Sequence, residues 1–260
     1  MKLAKLNGIA FAVVCLCMGS LYALGKKDYA ASAGTKNAVV ASTSWTAAFA
    51  DLAGINDVTT IAPTSLRHPP EYELTVQDLQ TIASSSVFIY AGFERMMQTI
   101  GTSAGAAKMV QIPCDNSIAT VQQNAKTLSA LFHTEQQSER RVQKYIEEIE
   151  AAKKTLAASG LAKKRVLCNT NQTYLAEDLG LNIAQTFGPA PVTSLQIADA
   201  ATEQYDIIID NIHNPVGSPL AEVTPQVLYL TWRNFPEQVE KDALLNMVRQ
   251  NIQTLLNDKN

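Results

Sequence analysis

Histidine is scarce: His68, His133 and His213 are the only three in 260 residues. Cysteine is nearly as scarce. Of four, Cys15 and Cys17 lie in an apolar N-terminal run, which leaves Cys114 and Cys168. Two cysteines so far apart exclude a disulfide scaffold. Buried free thiols, a single staple of the kind an exported protein can form, and metal ligation remain open for them. Charge is sparse as well, at 17% with a net of -3, and no basic cluster follows the N-terminus. That balance gives no support for a nucleic-acid partner. The chain contains no H-E-x-x-H, no G-x-S-x-G and no glycine-rich phosphate loop. An exported metal-dependent hydrolase would need an open coordination position and a placed general base, and nothing in the pattern supplies them.

What is present begins with an export signal. Lys2 and Lys5 precede an apolar run, Gly8 to Met18, that is short for a bilayer span, and Ala23-Leu24-Gly25 is a small-x-small cleavage site. Residues 1–25 are expected to be a signal peptide and 26–37 a tether, which places the mature protein outside the cytoplasm. A retained signal anchor, or a lipid on Cys15 or Cys17, is the weaker alternative, since neither cysteine follows a good lipobox. The whole chain is 47% hydrophobic, enough for one large core or two small ones.

The longest periodic stretch runs from Thr134 to Gly160. Val142, Tyr145, Ile146, Ile149, Ala152 and Leu156 share one helical face. Thr134 and Gln137 have capping-box spacing, and Gly160 is a stop signal. Such a helix is a rod of roughly 38 Å, long for one small domain. On either side, short apolar strands alternate with helical segments. Before it come Ala38–Ala41, Val58–Ala62, Val87–Tyr90 and Met109–Ile112. After it come Arg165–Cys168, Ile183–Phe187, Ile207–Asp210 and Val227–Leu230, and a last helix is expected to start at Pro236. Alternation of this kind implies an α/β fold with a mainly parallel sheet on each side of the rod. The expected organisation is an N-terminal lobe over 38–133, a bridging helix over 134–160 and a C-terminal lobe over 161–260.

Ligands of such sheets bind outside the carboxyl ends of the strands. His68 follows the second strand in L-R-H-P-P-E-Y-E-L, and His213 follows I-I-I-D in D-N-I-H-N-P-V-G-S-P. Each lobe therefore offers one histidine from a proline-stiffened loop facing the cleft. His133, at the start of the rod, reads as a helix-terminal surface residue. Each loop histidine can equally be a hydrogen-bonded loop residue, and the mirrored placement is what raises ligation to an even alternative. Glu94, after the third strand, can add a carboxylate or simply cap its helix. Asp210 can ligate or orient His213 from behind, a common arrangement. Two imidazoles and a carboxylate suit zinc more than manganese.

The stretches V-V-A-S-T-S-W, H-P-P-E-Y-E-L-T-V-Q-D-L and F-I-Y-A-G-F-E resemble the N-terminal lobe of the zinc/manganese-type substrate-binding proteins of ABC importers. The order of rod and second lobe is similar too. The resemblance implies two lobes bridged by a long helix, capture of a divalent metal in the cleft, and delivery to a membrane permease, with no enzymatic activity and a monomeric state. The chain departs from the family at its ligands. The first family histidine falls at Pro70, with His68 shifted by two; the second falls near Pro113 and Cys114; the third near Asn169; the late aspartate near Thr231. His68, His213 and Glu94 are therefore the expected metal ligands, with Asp210 as alternative or support, and Zn2+ the expected ion, Mn2+ the other candidate. The rival expectations are a binding protein of the same architecture for an organic or chelated solute, and an exported interaction protein with a vestigial cleft.

Overall fold

The computed structural model describes residues 38–105 and 107–257; the expected signal peptide and tether lie outside them. Four short apolar runs form the first sheet: β1 (Val39–Ala41), β2 (Val58–Thr60), β3 (Val87–Tyr90) and β4 (Lys108–Gln111). Four more form the second: β5 (Arg165–Asn169), β6 (Asn182–Phe187), β7 (Ile207–Asn211) and β8 (Leu228–Trp232). All pairings are parallel, in the orders β2-β1-β3-β4 and β6-β5-β7-β8. The two sheets thus repeat one topology, and the expected α/β class with two parallel-sheet lobes is what the chain adopts.

Parallel strands need helical crossovers. The first lobe supplies α1 (Ser44–Leu52), α2 (Val76–Ser84), α3 (Met97–Ile100) and α4 (Ile118–Phe132). The second supplies α6 (Thr173–Asp178), α7 (Ser194–Thr202), α8 (Ser218–Glu222) and α9 (Ala243–Asn257). Capping boxes at Thr43, Thr75 and Thr193 start α1, α2 and α7, satisfying backbone N–H groups that the first helical turn leaves open.

Between the sheets runs α5 (Glu135–Ser159), which buries Val142, Tyr145, Ile149, Ala152 and Leu156. Its start differs from the sequence expectation. Thr134 makes no side-chain cap; its hydroxyl instead donates to the carbonyl of Ala53. A tertiary hydrogen bond to the end of α1 has displaced the local one. His133, exposed and left-handed at φ 56°, closes α4 just before. The last helix also starts later than Pro236 implies. The Pro236 carbonyl accepts from Ser44 Oγ at 2.7 Å, and the N–H of Asp242 donates to Asp51 Oδ2 at 2.8 Å. Both ends of residues 236–242 are therefore tied to α1, and helix begins only after Asp242, itself at φ 59°.

Strand side chains alternate between faces. Val39, Ile89, Val166, Cys168, Ile207 and Ile209 point into one continuous core that also takes Tyr145, Ile149 and Leu156 of α5 and Leu244, Val248 and Ile252 of α9. The alternate residues build a satellite on each outer face: Val40 and Phe88 with Ile82 and Met96, and Leu167 and Ile208 with Phe187 and Leu220. One core running through both sheets and the rod makes the lobes a single packed body rather than two beads on a hinge. Polar pins reinforce it. Arg141 of α5 is buried and donates to the Asp51 carbonyl and, at 2.7 Å, to its carboxylate, and Tyr145 Oη donates to the Asn116 carbonyl at 2.7 Å. Among the described residues no helix is long and apolar enough to cross a membrane.

Candidate functional site

The carboxyl end of β7 makes a tight turn. The N–H of Ile212 donates to the Trp232 carbonyl at 3.0 Å, that of His213 to Asn211 Oδ1 at 3.0 Å, and that of Asn214 to the Asn211 carbonyl at 3.1 Å. The turn sends the His213 ring inward, where it is 9% exposed and stacks on Phe235 with centroids 3.6 Å apart at 17°. Phe235 in turn meets Trp45 of α1 at 6.0 Å, and Trp45 meets Phe93 edge-on at 6.4 Å. A row of rings therefore crosses the cleft between the lobes. Two polar links accompany it: Trp45 Nε1 donates to Asn116 Oδ1 at 3.2 Å, and Asn116 Nδ2 donates to the Asn234 carbonyl at 3.0 Å.

Among the described residues, two buried side-chain polar atoms lack a hydrogen-bond partner, His213 Nε2 and Asn234 Oδ1. Both sit just past the carboxyl ends of second-lobe strands. An unpaired buried polar atom is costly and calls for an explanation. Burial, then the charges of Arg233 and His68, push the His213 pKa down to about 4, while the carbonyls of Phe235 and Arg67 oppose the shift. Neither carbonyl forms a hydrogen bond with Nε2. The ring is therefore neutral at pH 7, with its buried Nε2 unpaired.

His213 lines a cavity of about 500 Å3 whose walls come from both lobes. Thr64, Ser65, Leu66 and Arg67, from the loop after β2, form one side; Ile212, Arg233, Phe235 and Glu237 form the other. His68 is exposed and stands next to this lining, near enough for its charge to act on His213. The two loop histidines, one from each lobe, are thus within electrostatic reach of each other.

Glu94 is placed differently. It is buried, and its oxygens accept from Ser42 Oγ, from the N–H of Ala91 at 2.8 Å and from the N–H of Gly92 at 2.6 Å. It ties the β3 turn to the end of β1 and is not part of the cavity lining. Asp210 is fully buried and accepts from Asn169 Nδ2 at 2.9 Å, Tyr229 Oη at 2.9 Å, and the N–H groups of Asn211 and Gly217, both at 2.7 Å. Its contacts brace the loop that carries His213 on both sides, and it makes no hydrogen bond to the imidazole. Among the described residues no three of His, Cys, Asp and Glu converge as a group able to hold a metal ion.

The positions where the family resemblance implies ligands are occupied otherwise. Asn169 is buried against Asp210, and Thr231 pairs with Asp210 across β7 and β8. Cys114 and Cys168 are free thiols. Burial, with Glu94 and Asp115 adding to it, pushes the Cys114 thiol well up; burial, with Glu177 and Asp210, pushes Cys168 to about 12. Both stay protonated near neutral pH in the metal-free protein.

The sequence reading missed Arg67, Arg233, Phe235 and Trp45. Arg67 stands beside His68 in the chain and was available from that adjacency alone. Arg233 and Phe235 follow β8, a carboxyl end with no histidine to draw attention. Only the folded chain lays the Phe235 ring on His213.

Two parallel four-stranded sheets sharing one strand order and joined by a long helix make a fold that solved structures share. FpvC, a substrate-binding protein of P. aeruginosa in complex with Ni2+, superposes with a TM-score of 0.66 at 15% identity, over 86% of this chain and 96% of that one. FpvC in complex with Mn2+ gives 0.65 at 14% identity, over 85% and 97%. The Mn-bound periplasmic metal-binding protein of Candidatus Liberibacter asiaticus gives 0.62 at 16% identity, over 85% and 99%. At such identities the likeness is one of fold. No family model and no curated protein matches the sequence.

Proposed function

We propose that this is a non-enzymatic, extracytoplasmic substrate-binding protein that captures a divalent metal ion between its lobes and delivers it to the permease of an ABC importer. The observation that carries the reading is the neutral, buried imidazole of His213 with an unpaired Nε2 on the wall of an interlobe cavity. A metal ion is a partner that a lone imidazole nitrogen accepts without a proton. His68, beside the same cavity, is the second ligand. Glu94 becomes a third only by surrendering hydrogen bonds that hold its loop, and Asp210 acts through the backbone of the His213 turn. The neighbours of like fold, described as bound to Ni2+, Mn2+ and Cd, support a divalent cargo. Imidazole nitrogen favours zinc over manganese.

Titration calorimetry of metal-stripped protein with Zn2+ and Mn2+ tests this. Zinc should bind more tightly than manganese, and His213→Ala should remove most of the affinity. Unchanged zinc affinity in a variant carrying both His68→Ala and His213→Ala would end the assignment.

A further inference from the structure

The chemistry around His213 points past a bare ion. The cavity places two arginines, Arg67 and Arg233, beside the His213 imidazole. Arg233 is paired with Glu237, and Arg67 makes no ion pair among the described residues. The wall therefore carries a net positive charge, which repels a free dication and attracts carboxylates, the groups guanidinium forks recognise. The chain supplies few metal ligands there, since no three acidic, histidine or cysteine side chains converge. The cavity, about 500 Å3, also exceeds an ion with a first shell of six waters, about 180 Å3 at roughly 30 Å3 each. It falls in the range of small-molecule sites, about 300–1,000 Å3. Leu66, Ile212 and Phe235 give its lining an apolar part, as such sites have.

From these features we infer that the cargo is a divalent metal already held by a small, carboxylate-rich chelator, bound as one anionic unit. This rests on the metal-capture reading above and names its substrate class. The chelator brings most of the ligands. His213 Nε2 replaces one metal-bound water, which leaves as water, and no charge changes. Arg67 and Arg233 receive the outer carboxylates, with Thr64 and Ser65 beside them.

Citrate serves as the probe. Metal-stripped protein is titrated by calorimetry with zinc chloride, with sodium citrate and with premixed zinc citrate. Zinc citrate should bind at least tenfold more tightly than either component. Arg67→Gln changes an exposed side chain. It should weaken zinc citrate about tenfold and tighten bare zinc, because one repelling charge is gone; His213→Ala should weaken both. Bare zinc binding as tightly as zinc citrate, or zinc citrate indifferent to Arg67→Gln, overturns the chelate inference and leaves metal capture standing. Citrate binding as well without zinc as with it, or no binding of zinc in either form, overturns both.

Discussion

Glu94 distinguishes a ligand from a lock. Its carboxylate is buried and accepts from Ser42 Oγ and the N–H groups of Ala91 and Gly92. Glu94→Ala strips three donors of their acceptor. Gly92 lies at the surface, so its N–H regains water. Ser42 and Ala91 are buried and do not, although Ser42 Oγ keeps Thr46 Oγ1 at 3.1 Å as a second partner. A hydrogen bond to a charged group is worth about 1.5–3 kcal/mol, so two lost in the interior cost about 3–6 kcal/mol, toward the low end because Ser42 keeps Thr46. For a domain of this size a loss of that order lowers Tm by roughly 10 °C. Thermal unfolding followed by circular dichroism, on metal-stripped protein, reads it directly. Glu94→Gln keeps the shape but turns one acceptor into a donor, so it should fall between wild type and Glu94→Ala. The opposite pattern, a Tm within about 2 °C of wild type together with zinc affinity lost, would refute the lock and restore Glu94 as a ligand.

Two further outcomes follow from the same geometry. Arg141→Met should destabilise the protein by about 3 kcal/mol, because breaking a buried pair leaves the other charge unpaired; the Asp51 carboxylate is only 14% exposed, burial already pushes its pKa up against Arg141, and urea unfolding measures the loss. His213 has a folded pKa of about 4 against 6.5 for the free side chain, so between those values the unfolded chain binds more protons. Stability from this group is intact above pH 6.5 and falls as pH drops toward 4, by up to about 3 kcal/mol at roughly 1.4 kcal/mol per pKa unit. Denaturant unfolding of metal-stripped wild type and His213→Gln at pH 7 and pH 4.5 should show a shallower acid loss in the variant; equal losses would contradict a desolvated, neutral ring.

The fold was legible because its determinants are local and periodic. Short apolar runs such as V-V-A and I-I-I, spaced between helical segments, read as buried parallel strands, and the rod's stripe from Val142 to Leu156 has one face to hide. Where sequence reading went astray, a distant partner had taken over a local group. Thr134 left its capping role for the Ala53 carbonyl, and residues 236–242 stayed out of helix because Ser44 and Asp51 hold them.

The candidate site divides along the same line. Loop position already put His68 and His213 at carboxyl ends of strands in different lobes, where ligands of parallel sheets bind. Composition could not say which polar groups there are spent and which are free. Glu94 and Asp210 have acceptor oxygens that any reader of the sequence would offer to a metal, yet backbone N–H groups up to seven residues away claim them. The Nε2 of His213 is free because Phe235, from the neighbouring strand's end, covers the ring without bonding it. Hydrogen-bond saturation, desolvation and the sign of the local charge are sums over groups remote in the chain, and only their packing together settles them.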